Sequence, residues 1–277
     1  MLFRSLSFKE LSPAKLNLFL KIVSKRDDGY HNIRSGVTLI NLFDEVIAEK
    51  DEKFSVKYTG EFAPHNNKFK DCIVEKIFSK LDIKKPNYAF TIKKNIPIMS
   101  GLGSASSNAA SVIRILEKLN YLDLKMKNFS EIGADVPFFI NNQDSLIREI
   151  GNITINQSFP KYFFLLIKPI QNSSTREMYD QINSTKLNFD LNFDTDEINE
   201  DDNGNDFEPI LEKQSKEISN LLKFMKSLPE TIFARLTGSG SCIFAAFESK
   251  ILAEESLAIF NKRFPLIWSK VVENNFI

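Results

Sequence analysis

The stretch Ile96–Leu116, which reads IPIMSGLGSASSNAASVIRIL, decides how the rest of the chain is interpreted. It places Gly101 and Gly103 and several small hydroxyl residues directly before an apolar pattern with helical spacing, which predicts a helix from about Ser107 onward. Glycine lets the backbone turn and approach a ligand closely, and the free N–H groups at the start of a helix attract anions. The pattern therefore fits a phosphate site, although a serine-capped helix after a glycine turn explains it equally well.

Two familiar phosphate motifs do not fit this stretch. A P-loop requires Gly-Lys followed by Ser or Thr, and this combination occurs nowhere in the sequence. A dinucleotide-binding loop requires a third glycine, and Ser106 occupies that position. A phosphate loop of another kind and a capped helix without a ligand both remain open.

The composition argues against some classes of partner. Lys+Arg and Asp+Glu both count 36 in 277 residues, so the formal net charge is zero. A nucleic-acid binder needs an excess of positive charge on its surface. The cysteines, Cys72 and Cys242, are far apart, which favours a reducing compartment over a disulfide scaffold. The N-terminus lacks an apolar signal core, and the run YFFLLI from Tyr162 is far shorter than a membrane span. We therefore expect a soluble cytoplasmic protein that binds neither nucleic acid nor membrane.

The segment SPAKLNLFLKIV alternates strictly, which predicts a half-buried strand. Lys15 and Asn17 lie side by side on its polar face. The apolar face carries Ala14, Leu16, Leu18, Leu20 and Ile22. Asp28-Gly29 then predicts a turn, so that the first strand forms a hairpin with the next.

Strand and helix patterns mix along the chain without a regular βαβ order. The helical stripes comprise Val74, Ile77, Phe78 and Leu81, and later Ala109, Val112, Ile113, Leu116 and Leu119. A second half begins near Gly151. The sequence therefore predicts an α+β fold.

The segment from Asp190 to Glu208 is strongly acidic, with nine acidic residues and no Lys or Arg. A calcium loop would need a bidentate Glu where Ile210 stands. We therefore interpret the segment as a solvated acidic surface loop.

Five segments occur in the order SPAKLNLFL, DDGYH, PIMSGLGSASSNAA, GADVPFF and LTGSGSCIF. Together they resemble the motifs of the GHMP kinase superfamily over the span from Ser12 to Phe247. The resemblance implies a two-domain GHMP-kinase-like fold, with an N-terminal ATP-binding domain at 1–150, a C-terminal domain at 151–277, and ATP and substrate in the cleft between them. The departures from the family pattern are Ser100, Ser104 and Ala105 in the glycine loop and Asp71-Cys72 at the adenine pocket.

The resemblance also implies a reaction. It implies a kinase that uses ATP with Mg²⁺ to phosphorylate a hydroxyl of a small cytidine diphosphate substrate in isoprenoid biosynthesis. Asp135 would accept the proton of that hydroxyl, and Lys15 would orient Asp135 and stabilise the developing alkoxide. Taken alone, Asp135 is better explained as a cap or turn residue just past a helix end, and Lys15 as a surface lysine.

The same resemblance implies the binding residues. The expected substrate-binding residues are Asn17, Tyr30, His31, Tyr179, Gly238 and Ser239. The expected ATP-binding residues are Lys94, Pro97, Gly101, Gly103, Ser104, Ser106, Ser107 and Asn108. A tight strand connection explains Gly238 and Ser239 about as well, and an ordinary half-exposed tyrosine remains credible for Tyr179. No carboxylate pair in the sequence indicates a metal site, so Mg²⁺ is expected to be held mainly by nucleotide oxygens, with a serine of the loop assisting.

Two other functions remain open at this point. A GHMP kinase of the homoserine or mevalonate type would share the motifs, but Tyr30, His31 and Tyr179 favour a flat base in the substrate. A non-catalytic nucleotide-binding homologue would be expected to lack Lys15 or Asp135, and both are present. We expect a monomer or a weak homodimer.

Overall fold

The computed structural model describes residues 7–65, 72–126, 128–182, 196–198 and 202–276. Its strands are β1 (Ser7–Lys25), β2 (His31–Lys50), β3 (Ser55–Thr59), β4 (Tyr88–Lys93), β5 (Ser145–Glu149), β6 (Ile153–Asn156), β7 (Phe163–Lys168), β8 (Phe233–Leu236), β9 (Ile243–Phe247) and β10 (Trp268–Glu273). Its α-helices are α1 (Ile73–Leu81), α2 (Ser104–Lys118), α3 (Val136–Asn141), α4 (Thr175–Ile182), α5 (Glu208–Gln214), α6 (Lys216–Lys226) and α7 (Lys250–Arg263). The predicted α+β class is confirmed, since strands and helices mix along the chain.

The chain divides into two compact units, and both are discontinuous in sequence. The first comprises Met1–Ala14, Leu42–Ile98 and Gly103–Asn142, and the second comprises Lys15–Asn41, Met99–Leu102 and Gln143–Ile277. The two consecutive domains 1–150 and 151–277 stay a prediction. The compact units are divided differently, because β1 and β2 each contribute one half to the first unit and the other half to the second.

In the first unit, α1 and α2 share a core with a small sheet. Strand β4 pairs antiparallel with residues 45–50 of β2 and parallel with β3. Both predicted helical stripes are confirmed except at Leu119, which is the C-cap of α2 and is only half-buried. Their buried residues are Val74, Ile77, Phe78 and Leu81 in α1 and Ala109, Val112, Ile113 and Leu116 in α2. These side chains join Phe90 and Ile92 of β4 in one cluster, where each large apolar side chain contributes about 1.5–3 kcal/mol by burial.

In the second unit, residues 33–37 of β2 pair antiparallel with β5, which also pairs with β6. A separate antiparallel sheet has the strand order β10-β7-β9-β8. Apolar residues of α4, α5, α6 and α7 pack with β7, β8 and β9 in a second core cluster. Each unit therefore has a core of its own.

Strand β1 differs from the prediction of a half-buried strand. Its residues 12–20 are all buried, so the face that carries Lys15 and Asn17 is withdrawn from water as fully as the apolar face. Lys15 and Asn17 are each 5% exposed. The alternation in sequence indicates which residues share a face, but it does not indicate that partners elsewhere in the chain cover the polar face. The predicted hairpin is confirmed, since β1 pairs with β2 across a turn at Gly29.

The interpretation of Asp190–Glu208 as a solvated loop holds for residues 196–198, which are exposed, but is wrong at Asp202, Asn205 and Phe207, which are buried. Residues 190–195 and 199–201 lie outside the described residues. Asp202 is buried and holds Arg34, whose Nε and Nη2 donate to its two carboxylate oxygens at 2.6 and 2.8 Å. Phe207 is also buried, so it anchors the end of the segment in the second core cluster.

The Arg34–Asp202 pair leads to a prediction about stability. Asp202→Ala leaves a buried guanidinium without its carboxylate, so we expect the free energy of unfolding to fall by about 3–5 kcal/mol. Urea unfolding monitored by circular dichroism measures this change. Glu75→Ala is the control, since Glu75 and Lys85 form an ion pair whose side chains are about half exposed, and its removal should change stability by less than about 1 kcal/mol. Equal losses in the free energy of unfolding would contradict the claim that burial makes the Arg34–Asp202 pair more important than the exposed pair.

Candidate active site

Helix α2 begins directly after two glycines with left-handed backbone. Gly101 has φ +77°, and Gly103, the N-cap of α2, has φ +74°. The helix begins at Ser104, one turn earlier than predicted, because Gly103 supplies the turn and its carbonyl oxygen accepts the N–H of Ser107 at 2.9 Å. The glycine N-cap makes no side-chain hydrogen bond to the first turn. The N–H groups of that turn are therefore suited to bind an anion.

Gly101 lies where two backbone segments approach closely. A Cβ atom at this position would be 2.2 Å from the carbonyl oxygen of Thr237 and 3.2 Å from that of Gly240. The carbonyl oxygen of Ser100 accepts the N–H of Cys242 at 3.1 Å. The segment Met99–Leu102 therefore packs directly against the second glycine-rich turn, LTGSGSC, and only glycine fits at position 101.

Lys94 is buried beside the first turn of α2 in a polar cluster. Its Nζ donates to Asp44 Oδ2, to Ser104 Oγ and to Asn108 Oδ1. Asp44 and Lys94 are 0% and 3% exposed. Burial lowers the pKa of Lys94, while the negative charge of Asp44 acts in the opposite direction. Asp44, which sequence reasoning missed, therefore brings together three of the expected ATP-binding residues, Lys94, Ser104 and Asn108.

The other expected ATP-binding residues are placed differently. Pro97 is buried, and Ser106 is half-buried in the first turn of α2. Ser107 is fully buried, and its Oγ has no hydrogen-bond partner within the part of the chain that the structure describes. Asp71, expected near the adenine, lies outside the described residues, whereas the Cys72 thiol lies 3.2 Å from the hydroxyl of Tyr58.

Lys15 and Asn17 meet residues that are distant in sequence. Lys15 Nζ donates to Asn17 Oδ1, and Asn17 Nδ2 donates to Ser35 Oγ at 2.8 Å. The backbone N–H of Asn17 donates to Thr237 Oγ1 at 3.0 Å. A Cβ atom on Gly238 would lie 3.4 Å from both Asn17 Oδ1 and Lys15 Nζ, so the glycine turn lies against this pair. Sequence reasoning missed Ser35, a lone hydroxyl residue in β2, and Thr237, which directly follows β8, because neither residue carries a signal of its own.

Ser239 follows Gly238 in the same turn and is held by hydroxyl groups. Its carbonyl oxygen accepts Ser173 Oγ, and its own hydroxyl pairs with that of Thr175, both at 2.7 Å. Thr175 is the first residue of α4. These hydrogen bonds fix the turn to the start of α4. Both explanations of the turn, a tight strand connection and a substrate-binding turn, require such a fixed position.

Asn205, which lies in the acidic segment, also holds this turn. Its Nδ2 donates to the carbonyl oxygens of Leu236 at 2.9 Å and Gly238 at 2.8 Å. The next residue, Asp206, accepts the N–H of Ile22 in β1 at 2.7 Å. The segment thus joins β1 to the glycine turn. The signal that could have revealed it is the apolar Phe207 within a polar run.

The rings of His31 and Tyr179 are stacked, with centroids 5.3 Å apart and planes at 23°. Phe207 meets Tyr179 at 90° and 5.0 Å. Tyr30 is 63% exposed. Because His31 already covers one face of Tyr179, a base must stack on another face of these rings or on Tyr30. The cytosine-binding role of the three residues stays a prediction.

Asp135 stands at the start of a helix and not just past the end of one. It is the N-cap of α3, is half-buried, and makes no side-chain capping hydrogen bond. The explanation of Asp135 as a simple capping residue therefore loses its main support. Asp135 belongs to the first unit and Lys15 to the second, and their pairing stays a prediction.

Metal-binding clusters and membrane spans are both absent from the described residues. Across those ranges, no group of three or more His, Cys, Asp or Glu side chains could hold a metal ion. Nor does any helix in the same ranges combine the length and apolar character needed to cross a membrane.

Comparison with known proteins gives matches along most of the chain. Residues 67–143 match the family model for the GHMP kinases N terminal domain, and residues 191–266 match that for the GHMP kinases C terminal. A relative from Buchnera aphidicola subsp. Acyrthosiphon pisum, named 4-diphosphocytidyl-2-C-methyl-D-erythritol kinase, is 33% identical over 269 residues, which cover 91% of each chain.

Solved structures share the fold. A crystal structure of 4-(cytidine 5'-diphospho)-2C-methyl-D-erythritol kinase has a TM-score of 0.76 at 22% identity, covering 97% of this chain and 100% of that one. The mevalonate kinase of Methanococcus jannaschii has a TM-score of 0.63 at 16% identity, covering 99% of both chains. At these identities the likeness shows the fold alone.

The geometry at Gly101 leads to a prediction with a close control. Gly101→Ala places a methyl group 2.2 Å from a backbone oxygen, whereas Gly204 has the same φ of +77° and a Cβ atom there would meet nothing within 4 Å. Gly204→Ala should therefore cost only the left-handed conformation, about 1–2 kcal/mol. Gly101→Ala should destabilise by about 1–3 kcal/mol more, because the backbone must move. Thermal and urea unfolding of both variants measure the difference, and equal losses would contradict the close approach.

Proposed function

The chain belongs to the GHMP kinase family, and we propose that it transfers the γ-phosphoryl group of ATP to the 2-hydroxyl of 4-diphosphocytidyl-2-C-methyl-D-erythritol. The products are the 2-phosphate and ADP, in the non-mevalonate (methylerythritol phosphate) route of isoprenoid biosynthesis. The observation that carries this choice of substrate is the 33% identity, over nine-tenths of both chains, to a relative named for this reaction.

The nucleotide would bind through the start of α2. Phosphoryl transfer requires in-line positioning and neutralisation of the phosphate charge, with little covalent chemistry for the protein to perform. The first turn of α2 supplies backbone N–H groups after a glycine N-cap, and the helix dipole favours negative charge there. The buried hydroxyl of Ser107 adds a further donor in the same turn.

The acceptor hydroxyl would be activated by Asp135, with help from Lys15. Asp135 would accept the proton of the 2-hydroxyl as the oxygen attacks, and Lys15 would stabilise the developing alkoxide. The hydrogen bond from Lys15 to Asn17, and the bond from Asn17 to Ser35, support a lysine held in one orientation. A lysine that is 5% exposed also acts in a weakly screened environment.

The cytidine end of the substrate would bind to the second unit. His31 and Tyr179 provide stacked aromatic rings beside the hairpin turn, and Tyr30 provides an exposed one. Gly238 and Ser239 would approach the diphosphate through the backbone. The aromatic set favours a flat base over mevalonate or homoserine, which have none.

Mg²⁺ would accompany ATP and neutralise part of its phosphate charge. Mg²⁺ retains waters and is commonly bound by one or two carboxylates plus the phosphates of the nucleotide. We propose that the ion is held mainly by nucleotide oxygens, with a serine of the loop before α2 assisting. We further propose a cytoplasmic location, on the two free thiols Cys72 and Cys242, and a monomer or weak homodimer.

An ADP-release assay across three acceptors tests the substrate. We expect turnover with 4-diphosphocytidyl-2-C-methyl-D-erythritol and none above background with homoserine or mevalonate. Faster turnover of either of these two would establish another GHMP kinase activity. No ADP release with any of them, together with normal nucleotide binding, would favour a non-catalytic homologue.

Asp135→Asn tests the catalytic role. The substitution keeps the shape but removes the base, so kcat should fall by about 10²–10⁴-fold while both substrates still bind. Steady-state kinetics and a nucleotide titration measure these quantities. Asp82→Asn is the matched control, because Asp82 has left-handed backbone at the end of α1, a conformation that Asn also tolerates. If Asp135→Asn kept more than about a tenth of the wild-type kcat, the assigned role would be wrong.

A further inference from the structure

The three N–H donors of the Lys94 ammonium are all used within the protein. They donate to the carboxylate of Asp44, to the hydroxyl of Ser104 and to the side-chain carbonyl of Asn108. An ammonium group has three donors and no acceptor. A nucleotide phosphate could therefore bond to Lys94 only by displacing one of these partners.

The carboxylate of Asp44 is saturated in the same way. It accepts the hydroxyl of Ser104 at 2.8 Å and the side-chain amide of Asn108 at 3.0 Å, in addition to Lys94. It also accepts the backbone N–H groups of Asn95 at 2.7 Å and Ile96 at 2.9 Å. One buried side chain thus ties the segment directly after β4 to two side chains of the first turns of α2.

The charges of the pair cancel where the phosphates would bind. Asp44 and Lys94 are 0% and 3% exposed, so water screens neither of them from the other. A phosphate near the start of α2 would meet the field of a close ion pair and not that of an isolated cation. The backbone N–H groups of the helix are then the main source of attraction.

We propose that Asp44 and Lys94 are a positioning pair for the nucleotide. The pair holds Ser104 and Asn108, and through them the first turn of α2, in the orientation that presents its backbone N–H groups to the phosphates. Lys94 acts through this arrangement and not as a phosphate-binding charge. This inference rests on the proposed function insofar as the ligand is ATP, and it revises the expectation that Lys94 itself binds ATP.

The two roles of Lys94 make opposite predictions for Asp44→Asn. If Lys94 supplied charge to the phosphates, removal of its counterion would leave nucleotide affinity unchanged or improve it. If the pair positions the helix, the substitution loosens the first turn, and the Kd for a non-hydrolysable ATP analogue should rise by about tenfold or more, since small misplacements have large effects. Isothermal titration calorimetry measures the Kd.

The double variant Asp44→Asn with Lys94→Met provides the second comparison. Lys94→Met alone leaves the Asp44 carboxylate buried without its cation, which is the more disruptive state. In the positioning account the double variant therefore binds the analogue more tightly than Lys94→Met alone. In the direct-charge account it binds no better, because the cation is missing from both.

Steady-state kinetics separate positioning from general damage. We expect Asp44→Asn to raise the KM for ATP while the KM for the acceptor substrate stays within about twofold, the spread of ordinary measurement. Asp202→Asn is the matched control, because it breaks an equally buried ion pair in the other unit and should reduce stability without changing the Kd of the analogue. If both variants raised the KM for both substrates, the positioning role would be rejected.

A variant that keeps the ion pair intact tests the inference even if Asp44→Asn fails to fold. Ser104→Ala with Asn108→Ala removes the helix side of the connection and keeps Asp44 and Lys94. The positioning account predicts weaker binding of the analogue here also, and wild-type binding would overturn it. If the wild-type protein bound no nucleotide at all, the proposed function would fail and this inference with it. If the wild-type protein bound the analogue and the variants bound it with the same Kd, the inference alone would be rejected.

Discussion

The burial of the Asp44 carboxylate is the constraint on which the candidate nucleotide site depends. A carboxylate withdrawn from water is strongly destabilising unless it is paired and fully hydrogen-bonded. Asp44 meets that requirement with Lys94, two side chains of α2 and two backbone N–H groups of the segment directly after β4. Because every partner is needed, the strand end and the helix start are fixed relative to each other. A precise helix N-terminus is therefore a consequence of satisfying one buried charge.

The same reasoning explains the second unit. Asn17 is buried on β1, and its hydrogen bonds reach Lys15 on the same strand and two residues distant in sequence, Ser35 and Thr237. Asn205 then satisfies two carbonyl oxygens of the segment that carries Gly238. Buried polar groups thus draw the strand with Lys15, the glycine turn and the end of the acidic segment into one network. Such networks specify a single arrangement, because each unmade hydrogen bond is costly.

The sequence predicts the parts of this fold that depend on periodicity. The stripes of α1 and α2 and the α+β class follow from apolar spacing, and the structure agrees with them. Three features could not be predicted in this way. Asp44 is one of several polar residues in β2, and nothing in the sequence indicates that its partners come from α2 and from the segment after β4. The polar face of β1 is covered by distant residues. Asn205 lies in a segment whose composition resembles that of a solvated loop. The roles of Lys15, Asp135 and Tyr179 came from resemblance to a family and stay predictions.

The central claim is that the first turn of α2 binds the phosphates through its backbone. Hydrogen–deuterium exchange of residues 103–108, with and without a non-hydrolysable ATP analogue, measures this most directly, because N–H groups that bond to phosphate exchange more slowly. We predict that exchange of this segment slows at least about tenfold on binding, the factor expected for about 1.4 kcal/mol of added protection. Saturated nucleotide binding with unchanged exchange in these residues would contradict the account.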